Sequence, residues 1–97
     1  MKAIFIVYDQ AYKERILALL DHHSQRGFSL FPQVQGRGSI NGEPHYGSHA
    51  WPSMNSAVLT IVDDSRVEAL LDELHAIDLE TEKLGLRAFV WDVEKTI

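Results

Sequence analysis

The chain has 97 residues, 45% of them hydrophobic and 24% charged, with a formal net charge of −5; this describes one small domain, residues 1–97, and excludes both a two-domain organisation and wholesale disorder. With no cysteine there is no disulfide framework, thiolate cluster or cysteine nucleophile, so a metal would need His, Asp or Glu ligands. Nine Lys and Arg against fourteen Asp and Glu, without a basic cluster, remove the electrostatic basis of nucleic-acid binding.

Lys2 to Tyr8 is rich in Ile, Val and Phe and reads as a strand. Its apolar run is too short for a signal-peptide core or a membrane span, so a cytoplasmic address is expected. Tyr12, Ile16, Leu19, Leu20 and His23 then fall on one helical stripe, with Asp9 placed to accept the first free amides and Gly27 to end the helix. Phe28 to about Gln35 is a weaker strand, because Pro32 interrupts its ladder donors. After a long irregular segment, Ser56 to Val62 is a third strand. Val67, Leu70, Leu71, Leu74 and Ile77 mark a second helix from about Ser65 to Asp78. Ser65 and Glu68 have the spacing of a capping box, and Asp63 and Asp64 read as caps favoured by the helix dipole. Asp63 to Glu82 holds eight of the fourteen acids, read as the solvated side of that helix. Arg87 to Val93 closes the series as a strand.

The order predicts an α+β fold, the ferredoxin-like βαββαβ arrangement of an antiparallel sheet with two helices on one face. Two helices cover only one face. Ala3 to Val7 and Ala57 to Val62 are nevertheless apolar at almost every position, whereas a sheet with one wet face should alternate. The economical cover for the second face is another copy of the chain, which makes homo-oligomerisation an expectation of the sequence.

Gly36 to Asn55 shows neither helical nor strand periodicity and carries four of the six glycines and two of the three prolines. Loops of this length inside a small domain are usually functional or disordered, and Tyr46 and Trp51 are binding-type side chains. At its start, Gly36-Arg37-Gly38 either ends a strand or presents amides and a fixed charge to an anion. His45, His49 and Glu43 are surface residues or up to three donors of the type that Zn(II), Cu(II) or Ni(II) prefer. Serines and histidines show no nucleophile-elbow or relay context, so a binding protein is expected rather than an enzyme.

Three blocks resemble the PII signal-transduction proteins of nitrogen regulation and their PII-like relatives. Val34-Gln35-Gly36-Arg37-Gly38 is similar to the family's entry into its long T-loop. Ile61 to Glu68 is similar to the strand-to-helix junction, and Arg87-Ala88-Phe89-Val90-Trp91-Asp92-Val93-Glu94 to the last strand. The resemblance implies a homotrimer with small-effector sites in the clefts between subunits, and a T-loop that regulates a protein partner, with a membrane transporter as one candidate. It also implies adenine-nucleotide binding at Gly36, Arg37, Gly38 and Arg87. Glu80 to Leu86 is short and acidic where the family has a glycine- and lysine-rich loop, which marks a divergent member. The alternative reading is a divalent-metal or metal-tolerance trimer using His45 and His49.

Overall fold

β1, Lys2–Asp9, fills the sequence requirement for a central strand: Ile4, Ile6 and Tyr8 are fully buried on one side, while Phe5 and Val7 on the other are only half-buried. The structure is a computed structural model that describes residues 1–35, 54–81 and 85–97. β1 pairs antiparallel with both β3, Asn55–Val62, and β4, Arg87–Asp92, and β2, Phe28–Val34, adds outside β3. The strand order is β2-β3-β1-β4.

α1, Lys13–His22, and α2, Val67–Glu80, cover the side of the sheet formed by Ile4, Ile6, Tyr8, Val58 and Val62. Ile16, Leu19 and Leu20 come from α1, and Val67, Leu70, Leu74 and Ile77 from α2, which are the positions that the helical spacing singles out. The expected ferredoxin-like arrangement is therefore the one that forms. On the far face, Ile61 is 41%, Trp91 50%, Phe89 55% and Phe31 44% exposed, so its large apolar side chains lack full cover within the described chain.

Local chemistry explains where boundaries differ from the sequence reading. Pro32 is accommodated because β2 is an edge strand, where a missing N–H breaks no inner ladder. The register shifts between Phe31 and Val34, and the Ser56 hydroxyl donates to the Pro32 carbonyl at 2.7 Å. α1 stops at His22 rather than near Gly27. Ser24 adopts φ 57, with its amide donating to the Asp21 carbonyl at 2.9 Å and the Gln25 amide to the Leu20 carbonyl at 2.8 Å. This is the Schellman ending, with serine in the left-handed position that usually goes to glycine.

Asp9 accepts the Ala11 amide at 2.8 Å, capping a 3-10 turn, Gln10–Tyr12, that leads into α1, while α1 itself has no side-chain cap. The Ser65–Glu68 capping box does not form, because a 3-10 turn, Asp64–Arg66, precedes α2 and moves the N-cap to Arg66, which makes no side-chain cap. The turn's own backbone satisfies the entry, with the Arg66 amide on the Asp63 carbonyl at 3.0 Å. Asp63 and Asp64 are not side-chain caps either. Asp64 instead accepts the Met1 amine at 2.5 Å, which lowers its carboxyl pKa below the ordinary carboxylate range.

Candidate functional site

One end of the sheet gathers the positions of interest. The pairs Val34 with Asn55, Asp9 with Asn55 and Val7 with Arg87 place the end of β2, the start of β3, the end of β1 and the start of β4 along the same rim. The Gln10 amide donating to the Met54 carbonyl at 2.9 Å fastens the entry of β3 to the turn after β1. Segment 36–53 thus leaves and re-enters the sheet at this rim, between two paired antiparallel strands. The candidates Gly36, Arg37, Gly38, Glu43, His45, Tyr46, His49 and Trp51 lie outside the described residues.

Arg87 is the candidate ligand residue that the structure describes. The chain enters β4 through Gly85, whose φ of 75 is a conformation that side-chain-bearing residues rarely adopt. Arg87 is the first residue of β4, and its Nη1 donates to the Leu86 carbonyl at 2.7 Å and to Asp78 Oδ2 at 3.1 Å. Both N–H bonds of that nitrogen are used, while the Nε and Nη2 edge makes no hydrogen bond among the described residues. That edge is a planar pair of donors of the kind that fits a phosphate or carboxylate. The Arg87 side chain is 40% exposed and the Asp78 side chain 14%.

The two residues border an open pocket of about 250 Å³ lined by Leu71, Leu74 and Leu86, with His75 and Ala88 on its wall. Asp78 escapes the sequence reading because it counts there as one of many solvated acids. The available signal is its position: four residues after Leu74 and seven after Leu71, it continues the apolar stripe of α2 instead of the acidic side. Its Oδ1 is buried without a hydrogen-bond partner among the described residues.

Arg87 and the start of segment 36–53 share the rim but not an edge. β2 and β4 are the two outer strands, three strand spacings apart, which at about 4.8 Å each is about 14 Å. Among the described residues no group of three His, Asp or Glu is placed to hold a metal ion, and no helix is long and apolar enough to cross a membrane.

No curated protein matches the chain. CPII from Thiomonas intermedia K12, a nitrogen regulatory PII-like protein, shares the fold with a TM-score of 0.73 at 21% identity, over 95% of this chain and 87% of that one. The same protein bound to ADP and bicarbonate gives 0.75 at 23% identity, over 95% and 84%. A PII-like signalling protein from Thermus thermophilus gives 0.66 at 20%, over 95% and 85%. The family described as nitrogen regulatory protein P-II matches residues 1–97, end to end. The βαββαβ sheet, the long segment at its rim and the arginine opening the last strand are thus features of a chain that belongs to the P-II family of nitrogen regulatory proteins.

Proposed function

We propose that this P-II family chain is a cytoplasmic, trimeric regulator, not an enzyme, that binds a small anionic effector between protomers and signals its occupancy to a partner protein. Arg87 carries the reading: it is a fixed cation with one donor edge unpaired among the described residues, at the rim where segment 36–53 leaves the sheet. Gly36, Arg37 and Gly38 complete the site from the other edge. A cleft between copies is supported by the strand order, since the end of β2 and Arg87 on β4 lie at opposite edges of one sheet and would flank one ligand where β2 of one protomer lies beside β4 of its partner. The uncovered apolar face supports the trimer.

The effector proposed is an adenine nucleotide, the class named for CPII bound to ADP, AMP and bicarbonate. Effector contacts stabilise one state of segment 36–53, and a partner, with a membrane transporter as the candidate, reads that state through Tyr46 and Trp51. The divalent-metal alternative, at His45, His49 and Glu43, falls on residues outside those described.

Calorimetry with AMP, ADP and ATP tests the ligand class. Arg87→Ala is expected to weaken binding about 10- to 100-fold, the value of a charge-assisted hydrogen bond. No heat with any of the three nucleotides removes the reading.

A further inference from the structure

We propose, resting on the nucleotide reading above, that Asp78 is a positioning residue that sets the charge of the ligand: by holding Arg87 it makes the site favour a nucleoside monophosphate over a triphosphate. The argument starts from burial. Asp78 sits on the apolar stripe of α2, its side chain 14% exposed, and among the described residues its one ion pair is with Arg87. The same guanidinium therefore neutralises a partly buried carboxylate and keeps its Nε and Nη2 edge without a partner among the described residues.

A first phosphate at the Nε and Nη2 edge gains two directed hydrogen bonds, because the Asp78 and Leu86 contacts hold the plane of the arginine still. Further phosphates gain little from a cation that is already paired. They also meet the end of α2, where Asp78 and Glu80 lie in the last turn with no basic residue, and where the helix dipole is itself negative. Glu80 is partly compensated by Arg15. Among the described residues lining the pocket, His75 is the other titratable group beside the pair. Among the described residues around Arg87, each added ligand charge thus meets acidic groups and a helix C-terminus, and selectivity follows from the pairing instead of from a contact to the base or ribose.

The test is calorimetry with AMP, ADP and ATP in magnesium-free buffer on the wild type, Asp78→Asn and Asp78→Glu. The wild type is expected to bind AMP at least as tightly as ATP. Asp78→Asn is expected to raise ATP affinity about tenfold more than AMP affinity, since it deletes a charge close to the added phosphates. Asp78→Glu restores the wild-type ranking. A loss of packing alone would weaken all three nucleotides together and leave their ratio unchanged, and an unchanged ratio overturns the proposal. If Asp78→Asn does not fold, the wild-type ranking still decides: ATP bound more tightly than AMP overturns it. That result leaves the nucleotide reading intact, whereas no binding of any nucleotide removes both.

Discussion

The two faces of the sheet are built from similar side chains and meet opposite fates. Ile4, Ile6 and Tyr8 of β1 disappear beneath α1 and α2, while their sequence neighbours Phe5 and Val7 point to a face where Ile61, Phe89, Trp91 and Phe31 stay largely exposed. The difference teaches that alternation in a strand is a statement about cover, not about hydrophobicity. A strand that is apolar at every position asks for two covers, and two helices provide one. The covered face should therefore carry the stability of the single chain, and the open face its association.

The largest expected effect breaks the covered face. Ile4→Ala removes a fully buried side chain from the middle strand and is expected to cost about 2–5 kcal/mol, lowering the melting temperature by about 10 °C or more on the scale of about 4–8 °C per kcal/mol for a domain of this size. Thermal unfolding of the purified variant measures it, and a change under about 0.5 kcal/mol would contradict the burial.

Next comes the open face. Phe89→Asp leaves the packing beneath the helices untouched but places a charge where the proposed interface is apolar. Light scattering is expected to show the wild type as a trimer and the variant shifted to the single-chain mass, with association weakened at least about tenfold. A wild type that already scatters as a single chain would show that the open face has some other cover.

Seen against these two faces, what the sequence discloses has a clear limit. Helical and strand periodicities identify the elements because burial selects apolar residues at fixed spacing: Leu70, Leu74 and Ile77 are read as one stripe and found in one layer. Contacts between polar groups are harder to read, since they depend on where each chain segment turns. Ser65 and Glu68 have capping-box spacing but sit in and after a 3-10 turn that shifts the helix start. Asp64, expected as a cap, reaches the Met1 amine 63 positions away. Asp78 lies beyond the same horizon, because its partner Arg87 is supplied by a strand on the far side of a connection. At the candidate site, Arg87 is legible as a cation at the start of a strand, whereas the acid that holds it is marked in sequence only by its place on the apolar stripe, and its pairing with Arg87 forms when α2 packs beside β4.

A smaller change sharpens the comparison by strengthening the helix layer alone. Ser24 holds φ 57 at the end of α1, a left-handed conformation that costs a side-chain-bearing residue about 1 kcal/mol. Ser24→Gly relieves that strain but loosens the unfolded chain, so a net gain of about 0.5 kcal/mol is expected. The melting temperature rises slightly while the mass by light scattering stays the same. A loss of stability would mean that the serine side chain contributes more than its backbone costs.

The smallest effect belongs to the exposed ion pairs around the helix layer, and its sign is fixed by their titration. The Met1 amine beside Asp64 and the Arg15 guanidinium hydrogen-bonded to Glu80 hold both carboxyls below the ordinary carboxylate range. A carboxyl whose pKa is lower in the folded chain than in the unfolded one stabilises the fold above its unfolded pKa, and that contribution fades as the pH falls through the folded value. Stability should therefore be flat near neutrality and decline slightly on the acid side of the ordinary carboxylate range. Because both pairs are open to solvent, screening weakens them, so the decline should shrink in about 1 M salt, where the Debye length is about 3 Å. Asp64→Asn should remove its own share of the slope, and association through the open face should not follow that slope, since neither pair lies there. An acid-side loss of equal size in Asp64→Asn, Glu80→Gln and the wild type would assign it to other carboxylates and leave the two pairs energetically silent.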